Sequence, residues 1–250
     1  MAIDQLLILA AGFFVIALLY TSVGHAGASG YLASMALLGV APATMRPVAL
    51  VLNILVASFT VYRFSRAGFF QWRNLWPFLL GSVPFAAVGG SWKLPNHQYY
   101  YVVAAALLIS AVILLWRAYR NRLPDREAQD PIPVVPALFI GAAIGLLSGL
   151  IGTGGGIFLS PVILLTGWAA PKETSGISAP FILINSAVAL IAGSLSWAAL
   201  PVELPWLALA ALTGALAGTW LGLKKLPVPI LLTLLAAVLV IAAVKLLLTA

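Results

Sequence analysis

The sequence predicts an all-α integral membrane protein of two inverted repeats, each a broken-helix hairpin followed by three transmembrane helices. Three observations carry that prediction. Only 8% of the 250 residues are charged and 63% are hydrophobic, whereas a soluble domain carries about 25% charged side chains. Such a chain cannot cover a globule with polar surface. No side chain between Pro131 and Pro171 is charged, so apolar runs reach membrane length. The net charge of +7 arises largely from basic residues gathered in short loops, a pattern that reflects membrane topology rather than a nucleic-acid surface. Nucleic acid is therefore not an expected partner, and membrane lipid is. Cysteine is absent, which removes disulfides, thiol chemistry and thiolate metal sites.

The elements follow in order. MAIDQLLILAAGFF has an acidic residue and no basic n-region, so it reads as a first membrane segment rather than a signal peptide. A membrane helix needs about 20 mostly apolar residues. The segments 46–63, 75–92, 98–117, 174–197, 204–223 and 226–246 each supply one span. The regions 4–40 and 132–171 are nearly twice as long, and glycines interrupt both: GHAGASG at 24–30 and GTGGG at 152–156. The simplest form for each is a hairpin of two short helices bent at the glycines.

Arg63, Arg66 and Arg73 follow the first single span, Arg117, Arg120, Arg122 and Arg126 occupy the central loop, and Lys224 and Lys225 precede the last span. The loop at 197–203 has no Lys or Arg. The three basic loops are then cytoplasmic and 197–203 lies outside. With that orientation the first hairpin starts and ends outside, the second starts and ends inside, and both termini are outside. The domains are a first membrane repeat (1–120), a cytoplasmic connecting loop (121–131) and a second, inverted repeat (132–250). SGYLASMALLGVAP echoes GGIFLSPVILLTGWAAP, LVLNILVAS echoes FILINSAVA, and Asn53 matches Asn185. Inverted repeats with broken helices are a transporter architecture, with the site near the midplane between repeats. Trp72, Trp76, Trp92, Tyr99, Tyr100, Trp116, Tyr119, Trp197 and Trp206 fall at span ends and read as interfacial anchors.

GTGGG is not a nucleotide loop, because Ile157 stands where a Walker-type lysine or a third dinucleotide-motif glycine is required. Gly141, Gly145 and Gly149, like Gly214, Gly218 and Gly222, recur at four-residue spacing, which lets helices approach closely. Contiguous glycines do not make one helix face. They read instead as a break that presents a helix N-terminus, with free N–H groups and a positive dipole end, to an anion. Such irregular backbone survives at membrane depth only inside protein or along a wet cavity.

The substrate-binding candidates are His25, Gly27, Ser29 and Gly30 in the first break and Thr153, Gly154, Gly155 and Gly156 in the second. Arg46, Asn53, Ser178 and Asn185 join them from the neighbouring spans. His25 serves a substrate, a coupling proton or a purely structural bond. Arg46 lies seven residues before Asn53, about two turns and roughly 10 Å along one face, and its charge suits an anionic substrate at the outer mouth. Asp4, Glu173 and Glu203 sit near segment ends, so the carboxylate sites of common cation carriers are missing. An anion pathway follows from this reading. The alternatives are a passive anion channel, or a membrane enzyme acting on a lipid or quinone. An enzyme would need metal ligands or an acid–base pair, and His25 and His97 lie in different loops. No enzyme activity, cofactor or metal is expected; a coupling proton or ion is an open partner.

YTSVGHAGASGYLASMALLGVAPATMRPVALVLNILVAS and GLLSGLIGTGGGIFLSPVILLTGWAAP resemble the TauE/SafE family of sulfite and organosulfonate exporters, and the resemblance covers nearly the whole chain. It implies export of small sulfur oxyanions such as sulfite, sulfoacetate or other sulfonates across the cytoplasmic (inner) membrane. The first half departs from the usual glycine-rich pattern at His25, Ala26, Ala28 and Ser29.

Overall fold

The computed structural model describes residues 3–119, 131–193, 200–223 and 229–249. The expectations for Arg120, Arg122, Arg126, Trp197, Lys224, Lys225 and nearly all of the 121–131 connector lie outside them. The described residues form ten helices: α1 (Ile3–Ser22), α2 (Ala28–Leu37), α3 (Pro42–Arg66), α4 (Trp72–Ser91), α5 (Asn96–Tyr119), α6 (Val134–Ile151), α7 (Gly156–Thr166), α8 (Pro171–Ala192), α9 (Leu204–Leu223) and α10 (Pro229–Thr249). Among them, six are long and apolar enough to cross a membrane. The fold is an all-α, multi-pass membrane architecture.

The two double-length regions differ from the expected pairs of short helices. Each is a full-length helix followed by a half-length one: α1 has 20 residues and α2 has 10, α6 has 18 and α7 has 11. At 1.5 Å per residue the long limbs reach about 27–30 Å and the returns about 15–16 Å. The break therefore lies toward the far end of the long limb. The physical reason is the glycine stripes. A Cβ at Gly141, Gly145 or Gly149 of α6 would run into the carbonyls of Phe78, Ser82 and Ala86 on α4. One at Gly214, Gly218 or Gly222 of α9 would meet those of Phe14, Leu18 and Ser22 on α1. These contacts follow the long limbs over most of their length, and an unbroken helix keeps them in register.

The helices pair across the two halves. α1 lies along α9, α4 along α6, α5 beside α10, and α3 crosses α8. α3 and α8 are the centre: 50% and 61% of their apolar windows are buried, against 33% for α1 and α9. Both begin with proline at the first turn, Pro42 and Pro171, where its missing N–H costs nothing. The Glu173 carboxylate accepts the Ala170 N–H at 3.0 Å and the Gln71 amide at 2.9 Å, which ties the start of α8 to the start of α4.

α3 begins and α4 finishes at the same end of the bundle, where Arg46 bonds the last carbonyls of α4. Tyr99 corrects the anchor reading there. It is buried, 5% exposed, and its hydroxyl donates to Ile151 O at 3.0 Å. Trp72, Trp92, Tyr119 and Trp206 remain exposed at helix ends, as interfacial anchors do.

Candidate functional site

The two breaks share one backbone design. Gly24 and Gly27 in the first, and Gly152 and Gly155 in the second, take left-handed φ values of 80°, 105°, 91° and 79°. α2 starts directly after Gly27 and α7 directly after Gly155. Only glycine adopts such φ without strain, so the chain can turn sharply there and restart a helix. The match places His25 opposite Thr153 in the motif. It also shifts the register read from the sequence echo, where Ser29 and Gly30 faced Gly155 and Gly156; the caps pair Gly27 and Ala28 with them.

A small cavity lies where the breaks meet. Tyr20, His25 and residues 26–29 line it from the first half, and Thr153, Ile157 and Ile182 from the second. Gly27 caps α2 without a side-chain hydrogen bond, so the N–H groups of Ala28, Ser29 and Gly30 have no intrahelical acceptor. The Thr153 hydroxyl is buried, 5% exposed, and has no hydrogen-bond partner. Tyr20 and Ser29 share a hydrogen bond at 2.6 Å. His25 crosses from one break to the other: Nε2 stands 3.0 Å from Gly156 O and 2.9 Å from Ser160 Oγ, and Nδ1 stands 3.1 Å from Val23 O. Ser160 continues to Ser178 at 2.8 Å.

The second break is closed. A Cβ on Gly155 would lie 2.7 Å from Ile144 Cγ2 and 2.9 Å from Phe181, and one on Gly156 would strike Ile182. On Gly154 it would lie 2.6 Å from Asn53 Nδ2 and 2.7 Å from Ser186 Oγ. The dense glycines let three helices converge, and the helix end they release is covered by apolar side chains. Gly30 likewise serves packing, with Ile16 Cγ2 2.6 Å from its would-be Cβ.

Asn53 and Asn185 do not meet each other. Asn53 Nδ2 donates to Ser186 Oγ at 3.2 Å, across α3 and α8, while Asn185 Nδ2 donates to Phe181 O of its own helix at 2.9 Å. Both side-chain oxygens are buried and unpartnered. Arg46 sits apart from the cavity. Nη1 donates to Trp92 O at 3.2 Å, and Nη2 faces Gly89 O, Gly90 O and Gly149 O at 3.0, 2.5 and 2.7 Å. These carbonyls end α4 and α6, where a cation is favoured by the dipole. The structure thus gives Arg46 a capping task at the ends of α4 and α6.

Sequence reading missed Tyr20, Ser160 and Ser186. Ser160 stood in the run after GTGGG and Ser186 next to Asn185, but nothing local marked them as facing inward. Among the described residues no group of three or more His, Asp or Glu could hold a metal.

A helical membrane bundle with two half-length helices restarting at a buried polar cavity has the build of a substrate carrier. The chain belongs to the TauE/SafE sulfite exporter family, whose model matches residues 8–246. It is 41% identical over 239 residues to a probable membrane transporter protein, y4hK, of Sinorhizobium fredii, across 96% of this chain and 97% of that one. No solved structure matches. The protein is a membrane transporter.

Proposed function

We propose that the chain moves small sulfur oxyanions or organosulfonates, sulfite and sulfoacetate among them, out across the cytoplasmic membrane, and that the anion binds where the two breaks meet. The observation that carries this reading is the cavity at the start of α2, lined by Ser29, His25 and the unpartnered Thr153 hydroxyl. Backbone N–H groups at a helix N-terminus favour an anion, and a buried hydroxyl without a partner is costly until something accepts from it. The sequence's carboxylates lie at helix ends or in the central loop, so none opposes an anion in the interior.

The proposed plan is two inverted repeats, 1–120 and 132–250, joined by an inner loop, with both termini outside. The exchanged helix pairs and the matched breaks support it. On the outer side stand Arg46, Lys93 and Lys245; of these, Arg46 and Lys245 donate to carbonyls at helix ends, which accounts for two cations on a face that topology does not favour. Flux of labelled sulfite through proteoliposomes tests the function. Saturable uptake that competes with sulfoacetate supports it. Flux that rises without saturation identifies a passive channel instead.

A further inference from the structure

We propose that His25 takes up a proton with the anion, so that transport is proton-coupled, and that this proton fastens one break to the other. The inference rests on the anion-site reading above. Both ring nitrogens of His25 face backbone carbonyls, Nδ1 toward Val23 O at 3.1 Å and Nε2 toward Gly156 O at 3.0 Å. A carbonyl oxygen only accepts, and a neutral imidazole has one N–H. The imidazolium donates to both. In the neutral ring one nitrogen is a lone pair. If that nitrogen is Nε2, the Ser160 hydroxyl at 2.9 Å donates to it, and Gly156 O faces a lone pair instead of a donor.

Protonation therefore chooses between two bonding patterns. In one, His25 bridges Val23 in the first break to Gly156 in the second. In the other, it turns its lone pair to Ser160 of α7, whose oxygen also contacts Ser178, and the bond to the Gly156 carbonyl is gone. The proton comes from water on one side of the membrane, resides on a ring nitrogen, and leaves to water on the other. No other bond is made or broken.

His25 is 3% exposed and lines the cavity, so its positive charge adjoins the bound anion. The neighbouring groups are Tyr20 from α1, edge to face at 6.4 Å, Ser29 from α2, Ser160 from α7 and Ser178 from α8. None of these titrates in the range of about pH 5 to 8, where histidine does.

The test uses the whole protein in proteoliposomes with labelled methanesulfonate, whose charge does not change across that range, and a pH dye inside the vesicles. A monovalent anion travelling with one proton is neutral. Wild-type flux should follow an imposed pH gradient, ignore a potassium diffusion potential and move protons with the anion. Apparent affinity should fall as pH rises, toward about tenfold per unit above the His25 titration. His25→Gln should bind anion with no pH dependence and move no protons. Ser160→Ala, which strips the neutral ring of its donor, should move the affinity midpoint to higher pH. Wild-type flux indifferent to the pH gradient, a pH response retained in His25→Gln, or an unshifted midpoint in Ser160→Ala overturns the proposal. Sulfite flux at a single pH reports on the anion site alone; if it and methanesulfonate binding are both absent, the anion site itself falls.

Discussion

The first and second breaks share a backbone and differ in what surrounds it. Around Gly27 the restarted helix opens onto a polar cavity with Tyr20, His25 and Ser29. Around Gly155 it is packed under Ile144 and Phe181, with Ile182 against the next residue. The denser glycine run is the closed one. Glycine density therefore measures how closely helices converge, and the cavity lies where the partnered polar groups of the first break face the unpartnered Thr153 hydroxyl of the second. The two ends of the bundle differ in the same way. Arg46 caps the converging ends of α4 and α6 with charge, whereas Ser175 closes the end of α1 through a neutral bond to Val23 O at 3.0 Å.

The largest effect expected from this contrast concerns side chains added to the breaks. Gly155→Leu meets both a left-handed backbone and apolar atoms closer than van der Waals contact, so almost no monodisperse protein should be recovered on size exclusion. Ala28→Ser, at the open cavity, should be recovered at near wild-type yield. Similar yields would erase the distinction between a packed break and an open one.

Arg46→Gln comes next. Hydrogen bonds to a charged group contribute about 1.5–3 kcal/mol each, and several carbonyls lose their donor at once. Thermal unfolding in detergent should occur markedly earlier while anion affinity per folded molecule stays unchanged. Arg46→Lys should restore part of the stability, because charge persists but the fork does not. A weakened affinity with normal stability would return Arg46 to the substrate path.

Two smaller changes sharpen the picture. Asn53→Ala cuts a bond between α3 and α8, and polar bonds between membrane helices average about 0.6 kcal/mol. It should destabilise more than Asn185→Ala, whose amide bonds only its own helix. Equal losses in a melting comparison would put the Asn pair on the same footing again. Thr153→Val keeps shape and removes one hydrogen bond to the anion, about 1.5–3 kcal/mol. Anion binding by isothermal titration should weaken by about tenfold or more; unaltered binding would take Thr153 out of the site.

Much of the architecture was legible because it rests on local quantities. Apolar length gave four of the six expected single spans, those in α3, α5, α8 and α9, and glycine clusters gave both breaks to within a residue or two. Small-residue spacing marked the α6 and α9 stripes. His25, Ser29 and Thr153 were legible as polar groups at breaks, and they do meet. What the sequence could not show depends on distant contacts. The length of the long limbs follows from packing of α6 on α4 and of α9 on α1. Which helix end is open depends on where Phe181 and Ile182 of α8 come to lie. The fate of Arg46 depends on carbonyls of two helices from different halves converging beside it. Asn53 and Asn185 match in the sequence pattern, yet their amides bond different partners, Ser186 and Phe181 O.

The central claim is that the anion lies at the start of α2, in the cavity shared by both breaks. Selenite, the heavier analogue of sulfite, can be located by anomalous scattering in crystals of the transporter grown with it. The account predicts selenium within hydrogen-bonding reach, through its oxygens, of the Thr153 hydroxyl and the Ala28 and Ser29 N–H groups. Selenium at the start of α7 beneath Phe181, or beside Arg46 at the ends of α4 and α6, would contradict it.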